Sequence, residues 1–447
     1  MFKMGWLRNG AEDTPQRAAL PPPFLTVYAP ELRLRDPDLL ETLPRLLPEG
    51  CRYALEAPPL PVAPVEGAAP VVASSEFALA LFLEPEQLDS LADRVMAAHG
   101  KGQPASLIVA VQPRQLVHLG RWLQRRGEQD RLSGLRLILA RDSEDALRQL
   151  PGRLQHGATH NCIRMPVAAE VENTAWRCFY TFSPELQALT TRIQAYADNG
   201  IHRVYLLGGP GSGKTSLAYY YYRVRNRGRF VSVNLASENT GDKAAVKSLL
   251  CGHVSGAFPG AGARHGAFTT ARDGVCFLDE SHGVMGAVME VLMEALDNGQ
   301  YLPLGASAKQ PVDCAILFAS NRTWASLQEA VHIDEFTRLG AAVLEVPELH
   351  RREEDMIAVT ATTLSRLAQR CTTWVAPQGV DEAGWKLIRE CRWHGNVRAL
   401  VRVLESAFVD VAAGGEGALL IPPAAIERGL SLWEPVTHHS HRLYAAH

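Results

Sequence analysis

The chain has 447 residues, 47 % of them apolar and 21 % charged, with a formal net charge of −3. That length allows two to four globular domains of about 100–200 residues, and the balance of charge excludes a chain dominated by a basic nucleic-acid-binding surface. The apolar run Phe77–Leu83 is seven residues, far below the roughly 20 needed to cross a bilayer. No apolar stretch follows Lys3 and Arg8 to make a signal peptide, so a cytoplasmic protein without a membrane partner is expected. None of the eight cysteines lies in a CxxC spacing, which reads as reduced, buried thiols.

Residues 1–70 read as an irregular N-terminal segment, with one short strand at Phe24–Tyr28 and a Pro/Ala-rich linker from Glu56 to Pro70. From 71 to 180 strand-like and helix-like runs alternate: Phe77–Leu83, Glu86–Ala98, Ser106–Val111, Gln115–Arg126, Leu135–Ala140 and Ser143–Leu150. That rhythm predicts a small α/β regulatory domain with a parallel sheet. A phosphate-receiving domain would need an acidic cluster at the strand ends. The ends read Glu84, Gln112 and Arg141–Asp142, a poor match that leaves ligand or protein sensing as the broader expectation. An amphipathic helix follows at Pro184–Ala197, with Ser183 placed as its N-cap. A nucleotide-binding core is expected over 181–346 and a helical section over 347–430. The polar, His-rich tail 431–447 is expected to be disordered.

The apolar strand Val204–Leu207 runs into Gly208-Gly209-Pro210-Gly211-Ser212-Gly213-Lys214-Thr215-Ser216 and then a helix. This is G-x-x-x-x-G-K-[ST] in the strand–loop–helix setting the chemistry requires. Glycines let successive N–H groups curl toward phosphate oxygens, and the helix N-terminus adds partial positive charge. Lys214 is expected at the β/γ phosphates of ATP and the Thr215 hydroxyl on Mg²⁺. A second apolar run, Gly274–Leu278, ends in Asp279–Glu280. Asp279 is expected to hold Mg²⁺ through water and Glu280 to polarise the attacking water. A third, Ala315–Ala319, ends in Ser320-Asn321-Arg322, where Asn321 is placed to orient water against the γ-phosphate.

The residues between these motifs resemble the central AAA+ domain of bacterial sigma-54-dependent transcription activators, over roughly Phe182–Leu430. Phe230–Asn234 is similar to the family's second strand, and Cys251–Ala261 to its G-H-E-x-G-A-F-T-G-A insertion. Asp334–Leu339 is similar to E-D-L-F-x-R-L, and Trp393–Arg398 to W-P-G-N-V-R. The resemblance implies an α/β P-loop AAA+ domain, a parallel sheet flanked by helices, with a C-terminal helical lid, preceded by the smaller α/β domain. It implies that Asn234 restrains Glu280, that Arg338 is an arginine finger acting on a neighbouring subunit, and that Arg398 senses nucleotide from the lid. It also implies that Gly256, Ala257, Phe258, Pro259, Gly260 and Ala261 form a loop that engages sigma-54 from a homo-oligomeric, hexameric ring. The implied function is an ATPase that remodels sigma-54 RNA polymerase.

Four departures qualify that expectation. Pro259 replaces the loop threonine and Val254 the acidic residue of G-H-E. His332 stands where the family has a first arginine finger, and only 17 residues follow Leu430, too few for a helix-turn-helix, so no DNA-binding domain of its own is expected. The alternatives are a remodelling ATPase with a non-transcriptional protein client, and a weakly hydrolysing, nucleotide-regulated scaffold.

Overall fold

The computed structural model describes residues 23–59, 76–100, 105–155, 160–165, 178–235, 243–281, 287–330, 342–372, 374–414 and 418–434. The N-terminal unit is a five-stranded parallel sheet of β1 (Phe24–Tyr28), β2 (Arg52–Glu56), β3 (Phe77–Leu81), β4 (Ser106–Val111) and β5 (Leu135–Leu139), in the order β2-β1-β3-β4-β5. This corrects the expectation of an irregular segment over 1–70, because β1 pairs with both β2 and β3. β2 is easy to overlook: it is an edge strand, exposed or half-buried along its length, and a Pro/Ala-rich stretch follows it. Its connection from β1 runs through helix α1 (Pro37–Leu46), where the Asp36 carboxylate accepts from the Asp38 N–H and Pro37 opens the first turn.

The interior strands are apolar on both faces because helices cover both. Phe77, Leu79 and Leu81 face the side of α1 and α4 (Ser143–Gln149), with α2 (Pro85–Gly100) and α3 (Leu116–Glu128) intervening in sequence. Ala78 and Ala80 face the opposite side, toward Leu116, Leu119 and Leu123 of α3. That second core does not stop at the domain edge. It continues into the lid through Met356, Ile357 and Leu364.

A short antiparallel ribbon, β6 (Cys162–Arg164) with β7 (Cys178–Tyr180), leads into the second unit. There α5 (Pro184–Asp198) precedes a second five-stranded parallel sheet: β8 (Arg203–Leu207), β9 (Phe230–Asn234), β10 (Val275–Asp279), β11 (Ala315–Ser320) and β12 (Ala342–Glu345), in the order β12-β8-β11-β10-β9. One face packs on α5 and α6 (Lys214–Arg225) through Leu186, Leu189, Leu217 and Tyr221. The other packs on α7 (Lys243–Cys251) and α8 (Ala287–Asn298) through Val246, Leu250, Leu292 and Leu296. Ser183 sits at the start of α5 without capping it through its side chain. Instead Asp355 Oδ1 accepts from the Phe182 and Ser183 N–H groups at 2.6 and 3.2 Å, so a lid residue anchors the segment that enters α5.

The lid consists of α9 (Glu353–Arg370), α10 (Glu382–Glu390), α11 (Asn396–Ala413) and α12 (Pro423–Trp433). Helix α3 of the N-terminal unit lies along α9 so closely that a Cβ on Gly120 would stand 2.0 Å from the Ala361 carbonyl oxygen. Beside this contact the Arg136 guanidinium of β5 meets the Glu354 carboxylate, Nη2 to Oε1 at 2.6 Å and Nε to Oε2 at 3.0 Å, both side chains 1 % exposed. The Leu137 N–H also donates to Glu354 at 2.9 Å. A buried ion pair is stable only with such additional hydrogen bonds, and this one ties the N-terminal sheet to the lid. Among the described residues no helix is long and apolar enough to cross a membrane.

Candidate nucleotide-binding site

Parallel strands present their C-terminal ends to one edge, and the register aligns those of β8, β11, β10 and β9: Leu207 lies opposite Ser320, and Asp279 opposite Asn234. The phosphate loop leaves β8 at that edge. Its Gly208 N–H donates to the Ser320 carbonyl at 3.1 Å. Gly211 and Gly213 take left-handed φ values of 68° and 107°, a region other residues rarely adopt. Space demands glycine there as well. A Cβ on Gly211 would meet the Gly395 carbonyl oxygen at 2.5 Å and Arg398 Cβ at 2.8 Å, and one on Gly213 would meet the Phe179 ring at 2.4 Å. The loop is therefore clasped between β7 below and the lid above.

Lys214 opens helix α6, and its ammonium donates to the Gly208 and Gly209 carbonyls at 2.8 and 3.1 Å. Burial pushes its pKa down, the carboxylates of Asp279 and Glu280 oppose that, and Arg398 reinforces it. The three groups expected around phosphate thus lie within electrostatic reach of the lysine. Thr215 is exposed at the same helix end, with Ser216 half-buried behind it. The Ser212 hydroxyl is buried in the loop without a hydrogen-bond partner. An unsatisfied donor inside a glycine cradle at a helix N-terminus fits an anionic ligand.

At the end of β10, Asp279 Oδ1 accepts from the Glu280 N–H at 2.9 Å, and Glu280 itself has φ 55°. Left-handed backbone at a glutamate costs free energy and concentrates at functional positions. Here the turn follows directly from the buried strand and re-aims the carboxylate. Asn234 is exposed across the register from Asp279, and Asn321 is exposed immediately after buried Ser320. Arg338 and His332 lie outside the described residues.

Two lid residues bind the loop more directly than those expected. The Asn396 amide donates from Nδ2 to the Pro210 carbonyl at 3.1 Å and accepts at Oδ1 from the Leu349 N–H at 2.9 Å. Arg352, buried, donates from Nη2 to the Ser212 carbonyl at 3.3 Å. Asn396 lies inside the Trp393–Arg398 segment, of which the resemblance points to Arg398 alone; Arg352 lies outside it and outside Asp334–Leu339. A cleft of about 450 Å³ opens elsewhere, between Leu88 and Trp122 of the N-terminal unit and Leu419 of the lid; no phosphate-loop residue lines it.

Beyond α7 the chain forms a ribbon, Gly252–His253 against Arg264–His265, and its tip projects as a compact loop. The Ala261 N–H donates to the Phe258 carbonyl at 3.0 Å across Pro259 and Gly260, and Gly260 has φ 81°. Proline then glycine with positive φ is the pattern of a type II turn. Pro259 therefore stiffens the tip, where its missing N–H is not needed. Phe258 is 46 % exposed, its ring 5.0 Å from that of His253. Val254 is exposed at the stem, and its N–H donates to the Leu304 carbonyl.

The chain is similar to several known proteins. A putative uric acid sigma-54-dependent transcriptional regulator of Escherichia coli (strain K12) is 29 % identical over 245 residues, 52 % of this chain and 40 % of that protein. A nitric oxide reductase transcription regulator of Cupriavidus necator is 30 % identical over 277 residues, 59 % of this chain and 52 % of that one. The chain thus spans about half the length of these curated relatives. The crystal structure of NtrX from Brucella abortus in complex with ADP is similar at 17 % identity and a TM-score of 0.49, covering 90 % of this chain and 85 % of that one. The family model of the Sigma-54 interaction domain matches residues 179–345, the stretch that holds the phosphate loop, Asp279–Glu280 and the projecting Phe258 loop, so this chain carries a Sigma-54 interaction domain.

Proposed function

We propose that the chain is an ATP-hydrolysing ring motor that remodels sigma-54 RNA polymerase through its Gly256–Ala261 loop, working as a homo-oligomer and most simply as a hexamer. The observation that carries this reading is the shared sheet edge on which Lys214, Asp279 and Glu280 surround one glycine cradle. Magnesium, held by Thr215 and by Asp279 through water, would supply Lewis-acid charge to the phosphates. Lys214 exchanges its bonds to the loop carbonyls for β/γ-phosphate oxygens, and the loop N–H groups hold the remaining phosphate charge. Glu280 takes the proton of the attacking water, and Asn321 orients that water. Asn234 holds Glu280 back until the γ-phosphate is in place. Arg338 of a neighbouring subunit adds charge where it develops. Arg398, Asn396 and Arg352 report nucleotide state to the lid.

The test is binding of the purified chain to sigma-54 in the presence and absence of ADP–aluminium fluoride. Nucleotide-dependent binding that disappears in Phe258→Ala is expected. ATP hydrolysis without any sigma-54 binding would transfer the motor to another protein client. The proline-stiffened tip and the apolar Val254 favour that second reading, since both change the contact chemistry of the loop. In that case Pro259→Thr restores no binding.

A further inference from the structure

In the β6–β7 ribbon, Cys162 lies opposite Tyr180 and Arg164 opposite Cys178. Residues two apart on a strand share a face, so both cysteines and Arg164 lie on one side of the ribbon. There the two sulfurs lie close enough to shift each other's protonation. Both cysteines are partly exposed, whereas Cys276 and Cys314, which also influence one another, are buried. That mutual influence divides the roles. It pushes the Cys162 thiol up, aided by burial, so that Cys162 keeps its proton. It draws Cys178 below the ordinary thiol range against the effect of burial, and the Arg164 guanidinium helps. Glu128 and Asp130, facing the pair from the end of α3 and the turn after it, act in the opposite sense.

Cys178 also adjoins the nucleotide loop. The next residue, Phe179, is the ring that a Cβ on Gly213 would strike, and Tyr180 stacks on Phe182 with ring centroids 5.8 Å apart. We propose that Cys162 and Cys178 are a peroxide-reactive thiol pair whose disulfide moves β7 against the phosphate loop and weakens nucleotide binding. Diagonal neighbours on an antiparallel pair sit farther apart than the roughly 3.5–4.5 Å between Cβ atoms that a disulfide requires. Closing the bond therefore draws β7 along β6 and takes Phe179 with it.

The co-reactant is hydrogen peroxide. The Cys178 thiolate attacks one peroxide oxygen; an S–O bond forms, the O–O bond breaks, and the departing hydroxide takes a proton to become water. The Cys162 sulfur then displaces the sulfenic hydroxyl. The S–S bond forms, the S–O bond breaks, and a second water leaves with the Cys162 proton. Two thiols and one peroxide give a disulfide and two waters, and the two electrons lost by the sulfurs reduce the peroxide.

The experiment treats the full chain with hydrogen peroxide and reads two quantities. Peptide mass spectrometry should find the Cys162–Cys178 crosslink before Cys51 or Cys371 oxidises, reversed by dithiothreitol. A fluorescent ADP analogue should bind about tenfold more weakly after treatment, with no change on treatment in Cys178→Ser or Cys162→Ser. Oxidation at other cysteines without this crosslink overturns the site, and the crosslink with unchanged ADP affinity overturns its link to the loop. The second readout rests on the nucleotide reading of the phosphate loop. Reduced protein that binds no ADP would refute that reading, and the crosslink would still decide whether the thiols pair.

Discussion

The two parallel sheets of this chain are built alike and end differently. Each has five strands, an apolar interior and helices on both faces. In the C-terminal sheet the strand ends carry a glycine loop, Asp279–Glu280 and Asn321. In the N-terminal sheet β3 runs into Phe82, which is buried, has φ 54°, and lies 4.8 Å beneath the Arg33 guanidinium. Glu84 is exposed two residues further on, and β5 runs into Ala140 and Arg141. The same scaffold can thus carry a glycine cradle with acidic neighbours or a closed apolar edge, and the few residues after each strand decide which.

Exchanging the strand-end chemistry tests this most directly. Lys214→Ala should remove measurable ATP binding in titration calorimetry, because no other ammonium lines the cradle among the described residues. Phe82→Ala should cost about 3–5 kcal/mol of stability through the cavity it leaves and should leave ATP affinity unchanged. Weakened nucleotide binding by folded Phe82→Ala protein would mean that the two edges are not independent. Next in size, Arg338→Ala should slow hydrolysis about 10³-fold if it is the finger. Glu280→Gln should bind ATP and not turn it over, and rings mixed from the two variants should recover activity. No recovery at any ratio would remove the shared site.

The C-terminal sheet was legible because its signals are local. The apolar runs of β8, β10 and β11 each end in a short motif, and the β9 segment Phe230–Asn234 has the bounds expected for it. The sequence did not show what joins distant segments. Asn396 reaches Pro210 across 186 residues, and Arg136 reaches Glu354 across 218. A buried arginine inside an apolar strand reads as an interruption until its carboxylate is seen. The N-terminal sheet was only partly legible for a related reason. β1 and β2 complete it through pairing, and β2 has no buried face of its own to announce it.

The ion pair sets the next prediction, since it decides whether the N-terminal unit and the lid behave as one body. Glu354→Ala leaves Arg136 buried without its carboxylate, which should cost about 3–5 kcal/mol in urea unfolding. A cost near that of a surface pair, about 1 kcal/mol or less, would mean that the two units part in solution and that the sheets are coupled only through the chain.

Asp355 gives the finest distinction, because it joins the lid to the start of α5 without a partner for its second oxygen. Burial raises its pKa to about 7, against the lowering effects of Arg352 and of the Ser183 and Phe182 N–H groups. A carboxyl whose folded pKa exceeds its unfolded value of 3.8 holds its proton longer in the folded state. Stability should therefore fall as pH rises from about 4 to about 7, at roughly 1.4 kcal/mol per pH unit, and level off above. Asp355→Asn keeps the oxygen that accepts from Phe182 and Ser183 and removes the titration. Thermal melts between pH 4.5 and 8 should show a smaller slope in the variant, with its largest relative gain at the alkaline end. An unchanged slope would mean that the carboxylate stays ionised beside Arg352, and that the lid holds α5 through charge rather than through a proton.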